Sequence, residues 1–287
     1  MQAVRTIQEV REQVKEWKKQ GLSVGFVPTM GYLHEGHGSL MKRAREECDR
    51  VVVSIFVNPM QFGVNEDLDS YPRDLEADAR LCRKIGVDLI FHPEVEEMYE
   101  KGFCSYVDME GLTKELCGKS RPVHFRGVCT VVNKLFNIVA PDKAFFGQKD
   151  AQQLAVIKRM VRDLNLDIEI IGCPIIREED GLAKSSRNTY LDPEERQAAL
   201  ILSETIFLGE RLVKEGERDA RRLIAAMKEN LAKEPMAVVD YVEAVSMDTI
   251  EKIDRLEGTV LVAMAVKIGK TRLIDNFILP IQGSRTV

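Results

Sequence analysis

The segment Val51–Val57, VVVSIFV, constrains this chain more than any other. It has no polar and apolar alternation, so a strand formed here is buried on both faces. Such a strand belongs to a parallel sheet covered by helices on each side. The surrounding pattern agrees. Strand-like runs at Leu22–Val27, Val87–Phe91, Lys143–Phe146 and Ile168–Cys173 alternate with helical patterns at Thr6–Gln20, Ser39–Glu47, Arg73–Ile85, Val128–Val139 and Ala151–Leu164. Gly86 and Pro141 supply stop signals for two of these helices. The predicted architecture is α/β: a Rossmann-like parallel sheet with helices on both faces.

The rhythm changes after Pro174. Helical patterns at Glu194–Glu215 and Asp219–Lys233 are followed by strand-period runs at Val238–Val245, Thr259–Val266 and Arg272–Ile278. Helices followed by neighbouring strands predict a smaller α+β C-terminal domain with an antiparallel sheet. We expect a first domain over 1–176 and a second over 177–287. No internal repeat or low-complexity stretch interrupts either.

The charge balance, 41 basic against 46 acidic side chains for a net −5, argues against a dedicated nucleic-acid binder. The seven-residue apolar run Val260–Val266 is far below the ~20 residues that span a bilayer, so no membrane partner is expected. The charged N-terminus lacks a signal-peptide core, and Glu9, Glu12 and Glu16 speak against a transit peptide. Cys48, Cys82, Cys104, Cys117, Cys129 and Cys173 are scattered without a CxxC pair. They read as reduced, buried or half-buried thiols of a cytoplasmic protein, and no protein-bound metal is expected.

Five segments carry candidate chemistry. The first is PTMGYLHEGHGSL, residues 28–40, between a strand and a helix. The turn after the first strand of an open parallel sheet is where nucleotides commonly bind. Gly31, Gly36 and Gly38 let backbone approach a ligand, and helix N–H groups near Gly38–Leu40 would face an anion. Gly31 and Gly36 have Walker A spacing, but His37-Gly38 replaces the Lys-Ser/Thr of a P-loop. His34 and His37 are one residue too close for a zincin. What remains is HxGH, holding two of the chain's four histidines. Imidazole N–H groups can donate to phosphate oxygens as negative charge builds.

The second is SIFVNPMQF, residues 54–62, where Asn58 and Gln61 offer neutral donors and acceptors suited to a hydroxy acid. Tyr71 adds a hydroxyl nearby in sequence. The third, KSRPVHFRG, brings Arg121, His124 and Arg126 together as a basic site for an anion, or as a solvated charge cluster. In the fourth, FFGQKDAQQ, Lys149 can reach a phosphate, Asp150 a ribose and Gln153 the same cleft. In the fifth, KSSRNTY, two hydroxyls lie between Lys184 and Arg187 as an anion clamp.

HxGH followed by a Lys-Ser-rich loop resembles the paired nucleotide signature of class I synthetases and nucleotidyltransferases. The conjunction of PTMGYLHEGH, SIFVNPMQF, RPVHFRGV, FFGQKDAQQL and SSRNTYL, in that order, resembles the pantothenate synthetase (pantoate–β-alanine ligase) family. The resemblance implies ATP-dependent condensation of D-pantoate with β-alanine through a pantoyl-adenylate, releasing AMP and pyrophosphate, with Mg²⁺ accompanying ATP. It also implies a cytoplasmic homodimer. Met30, Gly31, Tyr32, Leu33, His34, Glu35, Gly36 and His37 would line the ATP site, with His37 the proton donor and His34 its assistant. Gly147, Gln148, Lys149 and Asp150 would bind ribose and phosphate, Ile176 would lie near adenine, and Lys184, Ser185, Ser186 and Arg187 would close on the triphosphate. Gln61 and Gln153 would hold pantoate, with Asn58, Tyr71 and Arg121 beside them. Lys184 and Gly38 depart from the family's usual residues. A nucleotidyltransferase on the same scaffold is the competing reading.

Overall fold

The computed structural model describes residues 1–64 and 66–281. Along the chain run β1 (Gln2–Val4), α1 (Ile7–Lys19), β2 (Val24–Thr29), α2 (Glu35–Glu47), β3 (Arg50–Ile55), α3 (Leu75–Ile85), β4 (Leu89–Phe91) and α4 (Val95–Met98). Then come α5 (Leu116–Ser120), α6 (His124–Val139), β5 (Lys143–Gly147), α7 (Ala151–Asp163) and β6 (Glu169–Cys173). The C-terminal part contains α8 (Pro193–Ala198), α9 (Leu200–Lys214), α10 (Ala220–Leu231), β7 (Ala237–Ser246), β8 (Gly258–Ile268) and β9 (Thr271–Ile281).

The chain divides into two compact units. One comprises residues 1–109, 121–148 and 156–175, and the other takes in 110–120, 149–155 and the chain from Ile176 onward. The first holds a six-stranded sheet in the order β1-β4-β3-β2-β5-β6, with every pairing parallel. The predicted doubly covered strand is β3, where Val51, Val52 and Val53 are all 0% exposed. Val27, Leu40, Met41, Val53, Ile90 and Phe145 pack in its core. From β2 the chain proceeds to β3 and β4 on one side, and later to β5 and β6 on the other. The switch therefore lies between β2 and β5, and the carboxyl ends of β2, β3 and β5 are neighbours there.

The second unit holds the antiparallel sheet β7-β8-β9. Leu202, Ile206, Leu223 and Met227 from α9 and α10 join Val262, Met264 and Phe277 in its core. The expected α+β pattern is thus present.

Five local expectations need correction. Strand β1 lies outside the expected elements, because its three largely exposed residues pair only with β4 and show no buried face. The helix expected from Ser39 begins at Glu35, since His34 caps it. The amide of Gly38 donates to the His34 carbonyl at 2.9 Å, as the first intrahelical bond, so the expectation that N–H groups over Gly38–Leu40 face an anion does not hold. The helix expected over 194–215 is two, broken at Ala199, whose carbonyl takes the Leu202 N–H in a tighter three-residue turn. Finally, Cys104 is exposed, although all six cysteines are unpaired as read. No helix among the described residues is long and apolar enough to cross a membrane.

Candidate active site

The turn after β2 is held by an acid from another helix. Gly31 and Tyr32 both adopt left-handed backbone, with φ of 83° and 51°. That conformation aims the N–H groups of Tyr32 and Leu33 at the Asp78 carboxylate, at 2.9 and 2.6 Å. Asp78 lies on α3 and is 2% exposed. Burial pushes its pKa above the ordinary value, and the two backbone donors offset only part of that. A side chain at Gly31 would be strained by the positive φ, and its Cβ would press on the Ile55 and Asp78 side chains at 3.0 and 3.1 Å.

The two histidines cap α2 through each other. The Gly36 N–H donates to His34 Nδ1 at 3.1 Å, and the His34 N–H donates to His37 Nδ1 at 3.3 Å. Their ring centroids are 4.2 Å apart. Because both Nδ1 atoms accept, this hydrogen-bond pattern assigns the proton of each neutral ring to Nε2. Two imidazole N–H donors thus sit at a helix N-terminus, where the dipole favours an anion.

Beyond β3 lies the 3-10 turn Pro59–Gln61, capped by Asn58. Gln61 is 8% exposed and donates from Nε2 to Met30 Sδ at 3.0 Å, so the first two motifs touch. Asn58 uses its whole amide internally: Oδ1 accepts from Met60 and Tyr99, and Nδ2 donates to Gln61 and Gly127. Its bonding is that of a scaffold residue. Tyr71 is buried, edge-on to Phe62 at 6.1 Å.

The expected basic cluster is internally compensated. Arg121 forms a fork with Glu66 and also approaches His124 Nε2 at 3.2 Å. Burial would raise the Glu66 pKa, but Arg121 outweighs it and holds the carboxyl below its ordinary range. His124 Nδ1 lies 3.0 Å from the Gln61 carbonyl, and Arg126 covers the Tyr106 ring at 4.1 Å.

The remaining motifs lie mostly in the second unit. Gly147 ends β5, and the 3-10 turn Gln148–Asp150 leads into α7, as the strand-to-helix reading expected. Asn276 Nδ2 holds the Lys149 carbonyl at 2.8 Å. Gln153 is half-buried, whereas its neighbour Gln152 is buried and ties down Leu112, Glu115 and Cys117. The Lys184 N–H bonds the Ile176 carbonyl at 2.9 Å. Ser185 caps the 3-10 turn Ser186–Tyr190 by accepting from the Arg187 N–H. Lys149 and Ser185 line one small cavity with Asn188 and Asp275, so the fourth and fifth motifs meet.

Over residues 2–278 the chain matches the sequence model of the family described as pantoate-beta-alanine ligase. The chain belongs to that family. Membership makes it a ligase that forms a C–N bond between pantoate and β-alanine. The chain is 65% identical over 277 residues to the pantothenate synthetase of Ruminiclostridium cellulolyticum, covering 96% of this chain and 98% of the relative. It is 61% identical over 278 residues to the pantothenate synthetase of Enterococcus faecalis, covering 97% and 99%. The crystal structure of the Thermus thermophilus pantothenate synthetase superposes with a TM-score of 0.92 at 45% identity, covering 96% of this chain and 99% of that one. A Francisella tularensis pantoate-beta-alanine ligase, solved with β-γ ATP and β-alanine, gives 0.79 at 34% identity and covers 97% of each chain.

Four residues that hold candidate residues within their own unit fall outside the sequence expectations: Asp78, Glu66 and Tyr99 in the first and Asn276 in the second. Only Asp78 left a readable signal, an acid four residues before buried Cys82 on the same face of α3. The others act through contacts between segments remote in sequence.

Proposed function

We propose that this ligase works through a pantoyl-adenylate. A free carboxylate is a poor acylating agent because its leaving group would be oxide. Attack of a pantoate carboxylate oxygen on the ATP α-phosphorus breaks the bond to the bridging oxygen and releases pyrophosphate. The β-alanine nitrogen, having lost a proton, then attacks the acyl carbon, and the C–O bond to AMP breaks. ATP is the substrate that the Francisella relative was solved with in β-γ form, which supports this reading.

The observation that carries the proposal is the reciprocal cap of His34 and His37, with both Nδ1 atoms occupied. Each ring then offers an Nε2–H to phosphate oxygens as charge builds on them. We assign His37 the proton-donor role and His34 the supporting one. Lys149, Lys184 and Arg187 are the cations for the phosphates, Ser185 and Ser186 their hydroxyl neighbours, and Gln61 and Gln153 the pantoate residues. Mg²⁺ is assigned to the ATP phosphates as part of the substrate. There it supplies charge neutralisation of the departing pyrophosphate. We also take the enzyme to be a cytoplasmic homodimer; light scattering on the purified chain reads the second point.

The test is isotope exchange. Labelled pyrophosphate enters ATP when pantoate and Mg²⁺ are present and β-alanine is absent. Exchange without pantoate points instead to nucleotidyl transfer. Exchange that requires β-alanine removes the free-standing adenylate from the scheme.

A further inference from the structure

Gln61 is an amide, and an amide can present either its oxygen or its NH₂ to a ligand. Which end it presents decides what it can recognise. The contacts of its own side chain settle the choice only weakly, because Nε2 donates to the Met30 thioether at 3.0 Å and a thioether is a poor acceptor. The stronger partner is Asn58, whose Nδ2 donates to Gln61 Oε1 at 3.1 Å.

Asn58 is therefore the orienting group, and it must itself be oriented. Its Nδ2 also donates to the Gly127 carbonyl at 3.1 Å. Its Oδ1 accepts a long bond from the Met60 N–H at 3.3 Å and a short one from the Tyr99 phenol at 2.7 Å. Asn58 is 1% exposed, so water has little access to replace a lost partner. The phenol remains a donor, because burial pushes its pKa well above the ordinary value. The Tyr99 ring is fixed by Phe56 at 6.1 Å and Phe103 at 5.0 Å between centroids.

We infer that Tyr99 is a positioning residue that acts through Asn58 to fix Gln61 with its NH₂ end directed to the Met30 side, as a donor for an oxygen of the acid substrate. Tyr99 belongs to none of the five motifs and stands 38 residues beyond Gln61. Accepting the phenol proton polarises the Asn58 amide and strengthens its Nδ2–H bond to Gln61. The inference rests on the reading of Gln61 as a pantoate residue.

The test uses the full-length enzyme and three variants, Tyr99→Phe, Asn58→Ala and the double substitution, with Gln61→Ala as reference. Phenylalanine retains the ring packing and removes only the donor. Tyr99→Phe raises the KM for pantoate about five- to tenfold while the KM values for ATP and β-alanine hold, and the lost buried hydrogen bond lowers the melting temperature. In the Asn58→Ala background the same change adds nothing, because the residue it acts through is gone. An unchanged pantoate KM in Tyr99→Phe overturns the inference. So does an additive effect in the double variant, or a rise in all three KM values, either of which means general loosening. If Gln61→Ala itself leaves the pantoate KM unchanged, the failure lies in the reading of Gln61 instead.

Discussion

His34 and His37 each supply the cap that the other needs: Gly36 donates to the first ring, and the backbone of the first residue donates to the second. The motif HxGH is thus a capping box built from imidazoles, in the positions that Ser/Thr and Glu/Gln usually occupy. The spacing that ends a loop and starts a helix is the same spacing that presents two Nε2–H donors.

Structure and chemistry can be separated at His37. Glutamine is an ordinary third residue of a capping box, so His37→Gln retains the cap and His37→Ala does not. Both lose about 10²–10³ in the rate of pyrophosphate exchange. Only alanine also lowers stability, by about 1 kcal/mol in a denaturant titration. Wild-type exchange in His37→Gln would remove the imidazole from the chemistry.

By accepting from the N–H groups of Tyr32 and Leu33, Asp78 holds the left-handed turn at Gly31 and Tyr32, which a tyrosine does not choose alone. Asp78→Ala leaves both N–H groups without their acceptor, at about 1–3 kcal/mol each where water cannot reach. We expect a lower melting temperature and a raised KM for ATP, since the turn is part of the proposed nucleotide site. Asp78→Asn keeps one acceptor oxygen and falls between. Identical ATP kinetics in all three proteins would dissociate Asp78 from that site.

Gly127 touches the Pro59–Gln61 turn from α6. A Cβ there would lie 2.3 Å from the Met60 carbonyl oxygen and 2.6 Å from Gln61 Cα, both backbone atoms. Gly127→Ala must therefore move the turn, with an overpacking cost of about 1–3 kcal/mol. The expected signature is a raised pantoate KM together with reduced thermal stability. Calorimetry and steady-state kinetics on the one variant check both.

The Glu66–Arg121 pair makes a pH prediction. Glu66 has a folded pKa below its ordinary value of 4.5. Its ionised form binds the folded state, so its contribution is complete above the unfolded pKa and is lost as pH falls through the folded one. Glu66→Gln should flatten the melting temperature profile in that acid window, while the wild type declines. Parallel profiles for the two proteins below pH 4.5 would show the pair contributes nothing there.

Local chemistry was readable wherever it depended on neighbours in the chain. The unalternating Val51–Val57 required a doubly covered parallel strand, and β3 is one. HxGH, NPMQ and the Lys149 turn stood at strand-to-helix junctions, which in an open sheet are ligand positions. These readings needed only periodicity and spacing. The start of α2 was not legible in the same way, because histidine is an uncommon cap.

Periodicity and spacing are enough to specify the layer architecture and the residue types available for phosphate and hydroxy-acid recognition. The orientation of those residues comes from contacts between distant segments. Asp78 reaches Tyr32 and Leu33 from α3, Tyr99 reaches Asn58, and Glu66 takes up the charge of Arg121. Hydrogen bonds and ion pairs are short-ranged and directional, so segments far apart in the chain leave no period or spacing that announces them. The fold must first bring their side chains to within about 3 Å, and only then does each amide, imidazole and guanidinium acquire its direction.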